Sequence, residues 1–399
     1  MAKVLVSETN LTAIGNAIRE KNGESTKYKP GEMAAAISAI TTGGSGGDFT
    51  PPVITGHCAS RFINGGWDWY IEEFGDQIKT KDITDCNSMF RYSSNLNNIP
   101  FEINCKQGTA MDCVGMFGNC GKLTEIPKIN NCKLEGIKEM FVSCSRLRYL
   151  PEDIASWFDW SGFDTVTVTF SYTDVSGVFN SCYSLRSIPM GMLKHENPVS
   201  TSAYSTIYSS AFGSCYALDE IVDLPVHNKW STVAVTSNMF SNTFNSCFRL
   251  KNMTFETNED GTPKVAKWKS QVIDLSTNVG WTTTENNILN YNSGITSSKK
   301  VESSYEWAAL KNDPDWFSDD MGYSRYNLDS AIATINSLPD TSAYLATAGG
   351  TNTIKFKGKA GQNEAYKDAD GNQAFKSIKN LTEEQIAVAT AKGWTVTLA

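Results

Sequence analysis

Ten cysteines are the residues of this chain with the most specific chemistry, because thiolates bind metals, form disulfides and act as nucleophiles. The spacing does not indicate a zinc site. There is no Cys-x-x-Cys, and His57, His195 and His227 stand at no ligand spacing from a pair of cysteines. We therefore expect neither a metal nor a cofactor. Five cysteines instead follow a Phe at the same three-residue interval: Cys120, Cys144, Cys182, Cys215 and Cys247.

Carboxylates beside aromatic residues raise a second possibility, the cleavage of glycosidic bonds, which needs two carboxylates about 5–10 Å apart. Proximity in sequence does not establish that separation, and acidic turns on a protein surface explain the same residues. We therefore expect no enzymatic activity and keep a glycan-degrading tail appendage as an alternative. The carboxylates concerned are Asp159 with Asp164, and Asp313 and Asp315 with Asp319 and Asp320.

The cysteines belong to a repeated pattern that must position them. In each copy a Leu follows six places after the Phe, and an apolar residue stands three places beyond that Leu. Ser93 takes the cysteine position of the first copy. Repeats of this kind indicate a solenoid, in which each unit buries its apolar face on its neighbours. The Phe residues are Phe90, Phe117, Phe141, Phe179, Phe212 and Phe244.

Residues at one phase of a solenoid stack about 5 Å apart, the spacing of neighbouring strands. A free thiol is a small, readily buried group and suits such a column. We therefore expect buried, reduced thiols, with disulfides between neighbouring units as the alternative. Cys86 and Cys113 share another phase, four residues before the Phe, and Cys58 lies outside the pattern.

Within each unit, the spacing of Phe, Cys and Leu predicts one face of a short helix or a helical turn, and Leu-x-x-Ile-Pro predicts a brief strand ended by proline. Further strands are predicted at 166–170, 272–275, 336–339, 353–356 and 394–396. Helices are predicted at 303–312 and, capped by Thr382, at 383–389.

Four regions follow from these patterns. Residues 1–42 form a predicted helical hairpin, 43–50 a Gly-rich linker, 51–254 a repeat domain and 255–399 irregular coils with a C-terminal cap. At the entrance of the repeat domain, Trp67, Trp69, Tyr70 and Phe74 are expected to cover the first unit. The apolar stripe of the hairpin, which we expect to act as an anchor, comprises Leu11, Ile14, Ile18, Met33, Ile37 and Ile40.

The charge balance excludes one class of partner. The net charge is −8 and no basic stripe is present, so a nucleic-acid partner is not expected. No apolar run reaches the ~18 residues of a membrane span, and no secretory leader is visible. We therefore expect no membrane insertion.

The unit Met-Phe-x-x-Cys-x-x-Leu-x-x-Ile-Pro resembles the BspA-type leucine-rich repeats of bacterial surface proteins. Residues 381–397 are similar to the closing segment of such proteins in gut Firmicutes and their phages. Residues 11–37 are similar to an N-terminal module common in tail, baseplate and fibre proteins of those phages. The resemblance implies an α+β repeat fold, an irregular BspA-type leucine-rich-repeat solenoid behind a small α-helical hairpin.

The same resemblance implies a non-enzymatic bacteriophage virion protein of the tail, baseplate or fibre. From this resemblance we expect assembly in the host cytoplasm and attachment to other virion proteins through residues 1–42. The repeat domain is displayed for recognition of a host-surface glycan or protein, or for subunit contacts, and a capsid-mounted head fibre or decoration protein is an alternative. We expect homo-oligomers, because short amphipathic helices associate and virion sites are symmetric. The candidate binding aromatics in and near the insertions are Trp160, Tyr204, Tyr208, Trp230 and Trp281.

Overall fold

The computed structural model describes residues 53–159, 175–193, 207–226, 234–247, 249–276, 326–356 and 378–398. The chain divides into two compact units, Met1–Pro52 and Val53–Ala399, and the described residues all belong to the second. The hairpin and its anchor residues Leu11, Ile14, Ile18, Met33, Ile37 and Ile40 lie outside the described residues. So do the linker, the strand predicted at 166–170 and the helix predicted at 303–312.

The described part is mixed α/β, with small parallel sheets and few helices. The helices are α1 (Asp68–Phe74), α2 (Leu328–Ser337), α3 (Ser342–Ala348) and α4 (Glu383–Ala391). Short 3-10 turns lie at Ile63–Gly65, Gly75–Gln77, Ile154–Trp157, Met190–Leu193 and Ile378–Asn380. The strands are β1 (Val53–His57), β2 (Lys79–Asp85), β3 (Ile103–Asn104), β4 (Ala110–Asp112), β5 (Ile129–Asn130), β6 (Cys132–Gly136), β7 (Phe158–Asp159), β8 (Glu220–Leu224), β9 (Asn252–Phe255), β10 (Val272–Asp274), β11 (Asn352–Phe356) and β12 (Trp394–Leu398).

The sheets join parallel strands from successive stretches of chain. β1 pairs with β2, β3 with β5, and β8 with β9, while β4, β6 and β7 form a three-stranded sheet in that order. In the first pair Val53 lies opposite Lys79, and in the second Ile103 lies opposite Ile129. Because parallel strands need a long crossover between them, each sheet places a later stretch of chain directly beside an earlier one.

Seven segments centred on a Phe stack on one another through their backbones. In each of the first six, three N–H groups donate to carbonyls of the next segment: those of the Phe, of the residue two before it and of the residue two after it. Around Phe90 these bonds run from Ser88 to Val114 (2.9 Å), from Phe90 to Met116 (2.8 Å) and from Tyr92 to Gly118 (2.8 Å). The central residues are Phe62, Phe90, Phe117, Phe141, Phe179, Phe212 and Phe244.

A left-handed backbone on both sides of each Phe makes this bonding possible. The residues two before and two after Phe90 have φ of 52° and 65°, and the same two positions have positive φ in the other segments. Ser, Asn and Gly fill most of these positions, because β-branched residues are strained there. Of the short helix or helical turn predicted for each unit, only the turn is present: the N–H of Cys120 donates to Phe117 at 3.1 Å and that of Leu123 to Cys120 at 3.0 Å. Positive φ interrupts a longer helix, and the N–H groups at the three fixed positions bond to the next segment.

The Phe rings form one continuous stack inside the segments. Neighbouring centroids are 5.2 Å apart between Phe62 and Phe90, and 5.7 Å apart between Phe90 and Phe117, with planes tilted by 12° and 3°. The later steps measure 5.5, 5.6, 6.2 and 6.2 Å. All seven rings are buried, so the stack forms the centre of the apolar core.

A column of hydrogen bonds from side chains to backbone runs beside the ring stack. The thiol of Cys144 donates to the carbonyl of Phe117 at 3.1 Å, and that of Cys120 to the carbonyl of Phe90 at 3.0 Å. Cys182, Cys215 and Cys247 donate in the same way to the Phe of the preceding segment. The hydroxyl of Ser93 does so to Phe62 at 2.7 Å. The thiols thus satisfy buried carbonyls, and Ser93 replaces a thiol without loss of the bond.

The first segment, at Phe62, escapes the sequence pattern because Arg61 precedes the Phe and Gly65 takes the cysteine position. Its presence explains Cys58, which stands four residues before Phe62 just as Cys86 stands before Phe90. Both cysteines are fully buried.

The strand predicted at Leu-x-x-Ile is confirmed only in the last two units, where Ile221 lies in β8 and Met253 in β9. In the described residues 96–100, 123–127, 147–151 and 185–189 the same positions are buried without forming a strand. In these four units a proline follows at once and has no N–H for a ladder.

The last described stretches form a parallel sheet, β10–β11–β12, packed by helices. The strands predicted near Val272, Thr353 and Trp394 are confirmed, and so is the helix after Thr382, which carries a complete capping box with Gln385. The strand predicted at 336–339 is wrong, because Asn336 and Ser337 end α2. Among the described residues, no helix has the length and apolar character needed to cross a membrane.

We predict that Cys144→Ala lowers the free energy of unfolding by about 1–2 kcal/mol, because it opens a small cavity and removes one of the two donors of the buried Phe117 carbonyl. The other donor, the backbone N–H of Cys120 at 3.1 Å, remains. Cys144→Ser keeps a donor at the position that Ser93 fills in its own segment, and should cost about half as much or less. Urea denaturation of both variants checks this. Equal losses for Ser and Ala would show that the hydrogen bond contributes nothing.

Candidate binding surface

An aromatic patch, defined here as Trp67, Trp69 and Tyr70, lies at the start of the described chain. Trp67 is 47% exposed and Trp69 is 61% exposed. Both indoles meet the ring of Tyr70 edge to face, with centroids 5.8 and 5.7 Å away. Two large apolar side chains thus stay in solvent side by side.

Helix α1 positions the patch. Its Ile71 is fully buried, and the ring of Tyr70 packs on the core and on Phe74 at 5.3 Å. Trp67 leans on the buried Phe62 at 6.2 Å. The expectation that these aromatics cover the first unit therefore holds only in part. Phe62 and Ile71 are the residues buried in the core, and Trp69, two residues from Ile71, points to a different side of the helix.

A buried carboxylate anchors the base of the patch. Asp68 Oδ2 accepts a hydrogen bond from the backbone N–H of Asn95 at 3.2 Å, while Oδ1 makes none within the described residues. Burial raises the pKa of Asp68, and the Asn95 N–H opposes that shift. Lys122 Nζ donates to the Asn95 side chain at 2.9 Å.

Gly65 joins the first segment to helix α1. It has a φ of 68°, and a Cβ at this position would lie 3.0 Å from Asp68 Oδ2 and 3.8 Å from the carbonyl of Tyr92. Tyr92, on the next segment, is itself exposed, and the guanidinium of Arg91 lies 5.4 Å from its ring centroid. Arg91 is held in turn by Glu139 at 2.9 Å. A cationic group and a third exposed ring therefore stand on the segment next to the patch.

This arrangement offers aromatic faces on which a ligand can stack. Indole faces stack on the C–H faces of sugar rings and anchor protein partners through large, rigid contact areas. Of the acidic residues considered above, Asp159 is exposed in β7, and Asp164, Asp313, Asp315, Asp319 and Asp320 lie outside the described residues. Within the described ranges, no group of three or more His, Cys, Asp or Glu side chains is arranged to hold a metal ion.

Of the aromatics expected to bind, Tyr208 is placed elsewhere by the structure. It is fully buried, its ring stacks on Phe240 at 5.4 Å, and its hydroxyl donates to the carbonyl of Pro225 at 3.2 Å. This corrects its assignment to the binding surface: Tyr208 fills the core position, four before Phe212, that Cys86 fills before Phe90. The other four candidates, Trp160, Tyr204, Trp230 and Trp281, lie outside the described residues.

A four-thiol cluster, formed by Cys86, Cys105, Cys113 and Cys132, lies in the core away from the thiol column. Cys113 Sγ and Cys132 Sγ are 4.0 Å apart. Cys86 contacts the thiols of Cys105 and Cys113, and Cys105 also contacts Cys132. The sequence contains one weak signal for it: Cys105 comes directly after the Ile-Asn pair of β3, and Cys132 comes one residue later after the Ile-Asn pair of β5.

The chain matches no protein-family model, no curated protein and no solved structure.

We predict that the stability of wild type relative to Asp68→Asn rises as the pH falls from 7 towards 4. The raised pKa of Asp68 means that its folded-state contribution is complete below the unfolded pKa, about 3.9, and is lost as the pH rises through the folded pKa. Urea midpoints of both proteins across this range measure the trend.

Asp260→Asn is the matched control of opposite sign. The pKa of Asp260 is lowered by hydrogen bonds from the Thr262 side chain and backbone, so its contribution to stability is nearly constant from pH 7 to about 5. Wild type should lose stability relative to this variant only as the pH falls below about 4, and the urea midpoints of this pair are measured down to about pH 3. Parallel curves for wild type and Asp68→Asn would contradict the prediction.

Proposed function

We propose that the chain is a non-enzymatic structural component of a bacteriophage virion, in a tail, baseplate or fibre. In this proposal residues 1–42 attach it to other virion proteins, and the repeat domain presents the aromatic patch to a glycan of the host surface. The observation that carries the proposal is the pair of exposed indoles, Trp67 and Trp69, which meet Tyr70 edge to face.

The stacked segments support the architectural part of the proposal, an irregular leucine-rich-repeat solenoid of the BspA type. Each segment bonds to the next at three fixed backbone positions, and one ring stack runs through all seven. In such quasi-one-dimensional stacking each segment contacts only its neighbours, which leaves a large surface exposed. A displayed binding protein needs that surface more than it needs a deep pocket.

The chemistry of the patch favours a glycan over a nucleic acid. The chain is acidic, with a net charge of −8, and repels a phosphate backbone. Indole faces, by contrast, attract the C–H faces of sugars without a charge, and the Tyr92 hydroxyl and Arg91 guanidinium on the next segment supply polar partners.

Double substitution of Trp67 and Trp69 by Ala tests the binding role. We predict that the full chain sediments with purified Firmicutes cell-wall sacculi and that the double variant binds them about tenfold more weakly, since one or two aromatic anchors usually dominate an interface. The matched control is Tyr149→Ala, which removes a side chain that is 60% exposed outside the patch and should leave binding unchanged. Equal loss in both variants would contradict a specific role for the patch.

Deletion of residues 1–42 tests the attachment role separately. Phage particles assembled with the truncated chain should lack it after density-gradient purification, whereas particles with the full chain should retain it. Peptide mass spectrometry of the particles measures retention, and the Trp67→Ala/Trp69→Ala chain serves as the control that should still be incorporated. Retention of the truncated chain would refute attachment through this segment.

A further inference from the structure

The four-thiol cluster differs from the thiol column in what its sulfur atoms face. A column thiol such as that of Cys144 points at a carbonyl oxygen, which it satisfies as a donor. The cluster thiols face one another around a closed ring of contacts: Cys86 with Cys105, Cys105 with Cys132, Cys132 with Cys113 and Cys113 with Cys86. A thiol is a weak donor and a weak acceptor, so mutual contact satisfies these groups poorly.

Backbone pairing holds the four residues in this arrangement. The N–H of Cys86 donates to Asp112 and that of Cys113 to Gly136, each into the following segment. The N–H of Cys105 donates to Asn130, two residues before Cys132. Backbone bonds to neighbouring segments therefore fix the Cα positions from which the four side chains meet.

We propose that Cys86, Cys105, Cys113 and Cys132 form a latent disulfide site, which a peroxide converts into two disulfides, Cys86–Cys105 and Cys113–Cys132. The Cys113 and Cys132 sulfurs, 4.0 Å apart, need to approach by about 2 Å to reach the disulfide bond length. The ring of contacts then leaves Cys86 and Cys105, already in contact, as the second pair.

Cys105 is the entry point for the oxidant. It is the most exposed of the four, although only 3% of its surface is accessible. Hydrogen bonds from Cys132 and Cys86 lower the pKa of its thiol to about 5, whereas those of the other three are raised. A thiolate held by two thiols is the nucleophile that peroxide oxidation requires.

The chemistry balances with hydrogen peroxide as the only co-reactant. The Cys105 thiolate attacks one peroxide oxygen, the O–O bond breaks, and the departing hydroxide takes a proton to become water. The sulfur of Cys86 then attacks the resulting sulfenic acid, the S–S bond forms, and the S–O bond breaks to release a second water. The Cys113–Cys132 bond consumes a second peroxide with the same stoichiometry and forms more slowly, because the pKa values of both of its thiols are raised. Each disulfide therefore consumes one peroxide and yields two waters.

The consequence is a covalent lock on the first segments of the repeat domain. Two such disulfides stabilise the fold mainly by lowering the conformational entropy of the unfolded chain, in which they close loops. A particle protein assembles in a reducing cytoplasm and meets oxidants after release. The site itself does not depend on the proposed host-binding role, and its failure would leave that proposal untouched.

Disulfide mapping of the full, natively folded chain tests the proposal. Protein purified under reducing conditions is treated with a small excess of hydrogen peroxide, its remaining thiols are alkylated in denaturant, and unreduced tryptic peptides are analysed by mass spectrometry. Trypsin separates Cys86, Cys105, Cys113 and Cys132 from one another, because Arg91, Lys106, Lys122 and Lys128 intervene. Fragmentation of the peptide that contains both Cys113 and Cys120 assigns its bond.

The expected result is a mass lower by two hydrogens for each of two bonds, Cys86–Cys105 and Cys113–Cys132. The five column cysteines and Cys58 should all be alkylated. Ten alkylated cysteines, a bond between column cysteines, or sulfinic acid at Cys105 without a disulfide would each overturn the proposal.

Two variants separate the cluster from general oxidation of cysteines. Cys132→Ala should leave only the Cys86–Cys105 bond, whereas the matched column variant Cys144→Ala should form both bonds. The wild-type map decides the question even if a variant fails to fold. Loss of both bonds in folded Cys144→Ala would also contradict the assignment.

Discussion

The backbone hydrogen bonds between successive Phe-centred segments are the interaction on which the rest of the described structure depends. Three N–H groups of one segment bond to three carbonyls of the next, which requires a left-handed residue on each side of the Phe. The uniform register of these bonds superimposes the Phe rings and brings each cysteine under the carbonyl of the preceding Phe. Without it the same apolar residues would have no common axis, and neither the ring stack nor the thiol column would form.

The same constraint decides which aromatic residues remain available for binding. Phe62 lies in the ring stack, and Tyr208 and Phe240, each four residues before a Phe of the stack, pack face to face with each other in the core. Helix α1 follows the first segment and buries Asp68, Ile71 and part of Tyr70, while the indoles of Trp67 and Trp69 stay largely exposed. A repeated backbone pattern thus separates aromatic residues that support the fold from those that can meet a partner. The sequence alone does not separate buried from exposed aromatic residues, because the same residue types occur in both groups.

The cysteines show the same separation in a chemical form. Side chains at the column position have a defined oxygen partner, and burial raises the pKa of the Cys182 thiol to about 12, which suppresses its reactivity. In the four-thiol cluster, Cys86 and Cys113 stand four residues before a Phe, and Cys105 and Cys132 follow the short strands β3 and β5. The partners of these four thiols are one another. Cysteines at different positions therefore differ in reactivity, because parallel pairing places different groups beside each thiol.

Periodicity in the sequence was enough to determine the repeated unit, the burial of Phe117 and Cys120, and the C-terminal helix with its Thr382 cap, because these depend on local spacing and short-range hydrogen bonds. Periodicity did not determine the backbone conformation of the unit. The spacing of Phe, Cys and Leu is compatible with a helix or a turn, and it is the bonding between segments that favours positive φ. The first segment at Phe62, the core position of Tyr208, the exposure of Trp67 and Trp69, and the meeting of Cys105 with Cys132 were decided by the tertiary structure alone. Each depends on which residues parallel pairing places in the adjacent segment, and that information is not contained in the spacing along the chain.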